Sequence, residues 1–181
     1  MNHVLLVPRW GGTAASDWVP WLREQLDVPV TVGELLPVAD APTIDAMIAS
    51  LTELTAGRDL SQTLLVGHSV GCQAWLRWLA SDHGRPVGGL VAVAGWFTLD
   101  STWPPIVPWV DTPIDTERVR RRCPSVHLLL SDDDPFTGDH VANAATWEQR
   151  LGARVQLVPG ARHFNGGQEP TVLAAVREAV A

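Results

Sequence analysis

Short, continuous apolar runs recur along the chain and are separated by segments with helical character. Strands that are buried on both faces of a parallel sheet read as such runs, rather than as alternating apolar and polar positions. The pattern predicts six strands, over residues 3–7, 28–32, 63–66, 89–94, 126–130 and 154–158.

The segments between these runs predict helices. Thr43 and Asp139 stand where N-caps belong, and Pro170 stands where a first helical residue is tolerated. The predicted helices cover residues 17–26, 43–55, 70–81, 115–122, 139–151 and 170–180. Regular alternation of strand and helix predicts a single α/β domain over residues 1–181, with a parallel sheet and right-handed crossovers. Functional sites of such domains lie beyond the carboxyl ends of the strands.

Composition narrows the class of protein. The chain has 181 residues, of which 46% are hydrophobic and 18% charged, so it can bury a core without disulfide or metal support. Its formal charge of −7 argues against nucleic acid or an anionic membrane as a partner. Two cysteines do not make a disulfide framework, and no apolar run has the length of a signal or membrane span. We therefore expect a cytoplasmic protein.

A Gly67-x-Ser69-x-Gly71 pattern joins the third predicted strand to the following helix. A serine at such a strand-to-helix turn presents its hydroxyl clear of the sheet edge. The glycines have a steric reason, because the sharp turn leaves no room for a Cβ atom. This context predicts Ser69 as a nucleophile.

A serine hydroxyl needs a positioned base, and that base needs a carboxylate to fix its tautomer. Asp132, Asp133 and Asp134 follow the fifth predicted strand and His163 follows the sixth, which gives the chain order serine, acid, histidine of α/β-hydrolases. We predict His163 as the base. Asp134 is favoured as the acid because Pro135 fixes the loop behind it, and Asp133 is the alternative.

The remaining candidate ligands and bases fit the chemistry less well. His68 adjoins the serine in sequence and is expected to point away from it. Cys72 is expected to be a buried small side chain without a base beside it. The triple acid, Asp132-Asp133-Asp134, lacks the glycine and glutamate spacing of a calcium loop, so we expect no metal. We also expect no cofactor.

Two loops are predicted to complete the site. The glycine-containing loop after the first strand could lend the Trp10 N–H to an oxyanion, beside the N–H of Val70, or could be a plain connection. Residues 95–113 are predicted to be irregular, and this segment either walls an apolar pocket or covers core or a protein partner. The aromatic residues predicted to line the pocket are Trp96, Phe97, Trp103, Phe136 and Phe164.

With these residues assembled, the chain resembles the small serine hydrolases of the retinoblastoma-binding-protein and YdeN type, within the α/β-hydrolase superfamily. The resemblance covers nearly the whole length and has five parts. These are Val7-Pro8 to Gly12, Asp17-Trp18-x-x-Trp21-Leu22, Val66-Gly67-His68-Ser69-x-Gly71-Cys72, Ser131-x-Asp133-Asp134-Pro135-Phe136, and His163-Phe164-Asn165.

The resemblance implies Ser69 as nucleophile, Asp134 as acid and His163 as base. It also implies a three-layer α/β-hydrolase fold with six parallel strands in the order 2-1-3-4-5-6 and without a large lid domain. Two positions depart from the family pattern: Arg9 stands where members often have Gly, and Asp17 where His is common.

The leading hypothesis is therefore a serine hydrolase that cleaves an ester or thioester of a small molecule with an apolar group, through an acyl-enzyme. Two alternatives stay open from sequence. One is an acyltransferase. The other is a protein-binding module on a hydrolase scaffold, motivated by the aromatic residues from Trp96 to Trp109, since aromatic side chains are enriched at interfaces.

Overall fold

A computed structural model describes residues 1–34 and 43–181 of the protein. Six strands form one sheet, and every neighbouring pair is parallel. Their order is β2-β1-β3-β4-β5-β6, as predicted. The strands are β1 (His3–Val7), β2 (Val30–Val32), β3 (Thr63–His68), β4 (Gly89–Val93), β5 (Val126–Leu130) and β6 (Arg154–Leu157).

Helices cover both faces of this sheet. They are α1 (Val19–Gln25), α2 (Ile44–Thr55), α3 (Val70–Ala80), α4 (Val107–Asp111), α5 (Thr116–Arg122), α6 (His140–Leu151) and α7 (Pro170–Val180). Successive side chains of a strand point to opposite faces. Leu5 and Val7 accordingly pack in the core under α2, α3 and α6, whereas Val4 and Leu6 pack under α1 and α7. Burial of both strand faces explains the continuous apolar runs, and the predicted three-layer fold is confirmed.

The observed elements differ from the predicted ones at a few ends. β2 begins only at Val30, because Pro29 has no N–H to donate to a ladder. β4 ends at Val93, since Ala94 has a φ of 49° and leaves the extended conformation. Part of the segment predicted to be irregular is the short helix α4. The connection from β4 to β5 carries only α4 and α5, so no large lid lies there.

The helices within the described ranges are all too short or too polar to cross a membrane.

Candidate active site

Ser69 lies between the last residue of β3 and the first residue of α3. Its backbone has a φ of 56° and a ψ of −119°, a conformation that residues other than glycine rarely adopt. A Cβ at Gly71 would lie 2.2 Å from the Val7 carbonyl oxygen, and one at Gly67 would lie 2.7 Å from the Cys72 nitrogen. The sharp turn at Ser69 therefore depends on both glycines.

His163 and Asp134 form a hydrogen-bonded pair beside this turn. The His163 Nδ1 atom lies 2.8 Å from Asp134 Oδ2, and the two side chains are only 6% and 1% exposed. The other carboxylate oxygen, Oδ1, accepts the Phe136 N–H at 2.9 Å. Because a carboxylate oxygen accepts, Nδ1 carries the proton of this hydrogen bond. The Phe136 ring packs edge-on against the imidazole, 4.6 Å between centroids.

The other two aspartates of the triple acid hold backbone rather than the imidazole. Asp132 Oδ1 accepts the Gly160 N–H at 2.9 Å. Asp133 Oδ1 accepts the Ser131 hydroxyl at 2.6 Å and the Arg162 N–H at 2.7 Å. The Ser131 hydrogen bond, and after it the Arg162 N–H, lower the pKa of Asp133. Asp134, and not Asp133, is thus the aspartate in contact with His163.

His68 supports His163 from the opposite side. Its Nε2 lies 2.8 Å from the His163 carbonyl oxygen, which can only accept, so Nε2 carries the proton. The two rings lie 5.3 Å apart, and His68 is almost completely buried. Burial, followed by the charges of His163 and Arg9, lowers the pKa of His68 to about 3, against the raising effect of its bond to the His163 carbonyl. His68 is therefore a neutral donor, a contact that the sequence pattern did not reveal.

A cavity of about 130 Å³ opens over Ser69 and His163. Most of its wall is apolar, and the Trp10 and Trp103 rings meet there edge-to-face at 5.7 Å between centroids. The other lining residues are Arg9, Val70, Trp96, Leu99, Ile106, Phe136 and Asn165.

Two backbone N–H groups near this cavity have no hydrogen-bond acceptor among the described residues. Val70 is the first residue of α3, and a helix offers no acceptor to the N–H groups of its first turn. Trp10 follows β1, and its N–H forms no hydrogen bond with the described residues. A helix N-terminus favours negative charge, so a developing anion above Ser69 would be stabilised from the Val70 side.

Comparison with known proteins places this arrangement in a family. The sequence model of a family described as serine hydrolase matches residues 4–174, which is nearly the entire chain. The chain belongs to this serine hydrolase family. YdeN of Bacillus subtilis is 23% identical over 142 residues, covering 75% of this chain and 74% of YdeN.

Solved structures of α/β-hydrolases share the fold of this serine hydrolase. The crystal structure of YdeN superposes with a TM-score of 0.84 at 20% identity, over 99% of this chain and 98% of YdeN. Carboxylesterase CesB of Bacillus subtilis gives a TM-score of 0.65 at 15% identity, over 99% and 84% of the two chains. The type II thioesterase BorB of the borrelidin biosynthetic cluster gives 0.66 at 17% identity, over 99% and 93%. The predicted family is confirmed by the sequence model, and the predicted fold is confirmed by these structures.

The pocket of the hydrolase contains only some of the aromatic residues predicted for it. Trp96, Trp103 and Phe136 line the cavity. Phe164 is fully buried in the core under α1 and α7, on the other face of the sheet. Phe97 is not among the lining residues and packs edge-on against Trp147, at 5.2 Å between ring centroids. The expectation that Phe97 and Phe164 line the pocket is therefore wrong.

Two tryptophans of the aromatic segment are buried in the core rather than presented at the surface. Trp96 and Trp109 are each only 1% exposed. The buried Arg77 of α3 donates to the Trp109 carbonyl at 2.5 Å, which fixes α4 on the core of the hydrolase. The segment both walls the pocket and covers core.

Cys72 lies on α3, three residues after Ser69, and is completely buried. Burial raises the pKa of its thiol to about 12, and the Sγ–H group points at the Gly67 carbonyl at 3.2 Å. A thiol with so high a pKa is not a nucleophile at neutral pH. No cluster of His, Cys, Asp and Glu side chains in the ranges 1–34 and 43–181 is arranged to hold a metal ion.

Proposed function

We propose that the protein hydrolyses small carboxylic esters or thioesters, with Ser69 as nucleophile, His163 as general base and Asp134 as its orienting carboxylate. One observation carries this proposal: the buried 2.8 Å contact between His163 and Asp134 lies at a cavity that also contains Ser69 at its strained turn. A neutral imidazole held in this tautomer can accept the serine proton at Nε2.

The reaction would proceed in two halves. In the first, Ser69 Oγ attacks the carbonyl carbon as its proton passes to His163 Nε2, and the carbonyl oxygen becomes an oxyanion facing the N–H groups of Val70 and Trp10. The tetrahedral intermediate then expels the alcohol or thiol, which takes the proton from His163. In the second half, water gives a proton to His163 and attacks the acyl-enzyme; the second tetrahedral intermediate then breaks its bond to Ser69 Oγ, which takes the proton back from His163 as the acid is released.

The shape of the cavity supports a small apolar acyl group as the part of the substrate bound beside Ser69. Its volume is about 130 Å³. Tryptophan and aliphatic side chains make most of its wall. CesB is a carboxylesterase and BorB a thioesterase, which agrees with a substrate of the ester or thioester class.

A fluorophosphonate probe tests the proposal because it reacts with activated serines. We expect it to label the wild-type protein at Ser69, and the Ser69→Ala variant to lose both labelling and short-chain ester hydrolysis. Ser101→Ala, which changes an exposed serine, is the matched control and should behave as wild type. A folded wild-type protein that is neither labelled nor active would refute the proposal, and an alcohol or amine acceptor that outcompetes water would assign acyl transfer instead.

A further inference from the structure

Arg9 lies at the wall of the cavity and uses its guanidinium for three hydrogen bonds within the protein. Its Nε donates to Asp17 Oδ2 at 2.7 Å and its Nη2 donates to Asp17 Oδ1 at 3.1 Å. The third bond runs from Nη1 to the Trp10 carbonyl oxygen at 3.1 Å. The Asp17 side chain is 9% exposed and that of Arg9 32%, so the pair is largely sheltered from solvent.

Hydrogen bonds hold the peptide groups on both sides of Trp10, one from the Gly12 backbone and one from the Arg9 guanidinium. The Gly12 N–H donates to the Arg9 carbonyl at 2.8 Å, which sets the plane of the Arg9–Trp10 peptide. A trans peptide is planar, so its N–H points opposite to its carbonyl. The direction of the Trp10 N–H is thereby fixed. The next peptide is held through its carbonyl by the Arg9 guanidinium.

Asp17 is held in an unusual backbone conformation, with a φ of 51°. Non-glycine residues at positive φ persist where the surroundings over-determine them. The two oxygens of the Asp17 carboxylate accept from Nε and Nη2 along one edge of the planar guanidinium, a geometry that arginine provides and lysine does not. The same pairing offsets the charge of Arg9. A guanidinium already engaged in this way is better suited to hold the loop than to bind an anionic substrate.

We propose that Arg9 and Asp17 form a clamp that positions the Trp10 N–H toward the oxyanion formed at Ser69. Both are positioning residues, because they act through the Trp10 backbone and not on the substrate. The inference rests on the proposed function, since it assigns a role in stabilising the tetrahedral intermediate of that reaction.

The test compares Arg9→Gln, Arg9→Lys, Asp17→Asn and the double variant Arg9→Gln/Asp17→Asn with wild type. Removal of an oxyanion donor costs on the order of 10²–10³ in kcat, and a misdirected donor should cost less. We expect each single variant to lose about 10- to 100-fold in kcat with KM nearly unchanged. The double variant should lose no more than the more severe single variant, because both substitutions release the same loop.

A boronic acid that adds to Ser69 provides a second readout. Its adduct is tetrahedral and carries an oxygen in the oxyanion position, so its affinity should fall by the same factor as kcat. The matched control is Arg120→Gln, which removes an exposed arginine of α5 that pairs with Glu117 at 3.8 Å. This variant should retain wild-type kcat and boronate affinity.

Three results would overturn the clamp. Wild-type kcat in the Arg9 variants, even with a lowered Tm, would assign a structural role only. A rise in KM confined to anionic substrates would make Arg9 a substrate-binding residue. Additive losses of kcat in the double variant would show that the two side chains act independently. An inactive, unlabelled wild type would refute the proposed function itself. If Asp17→Asn fails to fold, the Arg9→Lys variant still tests the clamp.

Discussion

Replacing His68 by glutamine should change how the stability of the protein depends on pH. His68 is buried, donates to the His163 carbonyl at 2.8 Å, and has a pKa lowered to about 3. A glutamine amide can also donate to this carbonyl, but it does not titrate. The substitution therefore removes the titration of His68 and keeps a donor in its place.

The magnitude follows from the difference between the folded and unfolded pKa values of His68. An unfolded histidine has a pKa of about 6.5, so between pH 6.5 and 3 the unfolded chain binds a proton that the folded protein does not bind at His68. Stability is then lost as pH falls through this window and is fully present above it. From pH 7 to pH 5 the loss due to His68 is about 2 kcal/mol.

Urea unfolding at pH 7 and pH 5 measures this contribution. The free energy of unfolding of wild type should fall by about 2 kcal/mol more than that of His68→Gln over this interval. Every other titrating group is common to both proteins, so the difference isolates His68. Equal falls in the two proteins would refute the reasoning, because they would mean that His68 is protonated in the folded state or exposed to water.

Two further predictions concern the acid and the pocket. Asp134→Asn should lower kcat by about 10⁴-fold, because an amide no longer fixes the imidazole tautomer. Asp133→Asn should lower kcat far less, and steady-state kinetics of the two variants measure the difference. Equal losses would contradict the assignment of Asp134. Trp103→Ala should enlarge the cavity and raise the preference for an octanoate over a butyrate ester by about tenfold, measured as a ratio of kcat/KM values. An unchanged ratio would show that Trp103 does not limit acyl length.

The sheet could be predicted from the sequence because its signal is local. Each strand is a continuous apolar run, and burial on both faces requires this pattern wherever the strand lies. Helix α4 could not be predicted in this way, since it contains Pro108 and is fixed by a bond from Arg77 to the Trp109 carbonyl. The packing of Phe97 also could not be predicted from the sequence, because it depends on the backbone conformation beyond β4 rather than on residue type.

In the candidate site, too, the sequence predicts the residues that carry a local signal and misses the contacts between distant residues. Ser69, Asp134 and His163 could be proposed because each follows a recognisable strand and their order is characteristic. The contact between His68 and His163 joins residues 95 positions apart and has no spacing signature. Arg9 and Asp17 stood out in the sequence as two separate departures from a family pattern, and only the structure joins them in one ion pair.

The loop that carries His163 is held from both sides before any substrate arrives. The acids after β5 accept the N–H groups of Gly160 and Arg162, while His68 at the end of β3 donates to the His163 carbonyl. The imidazole itself is hydrogen-bonded to Asp134 and contacts the rings of His68 and Phe136. Groups fixed in this way need little reorganisation when charge develops at Ser69. Selection among substrates would then depend on the fixed walls of the pocket rather than on closure of this loop.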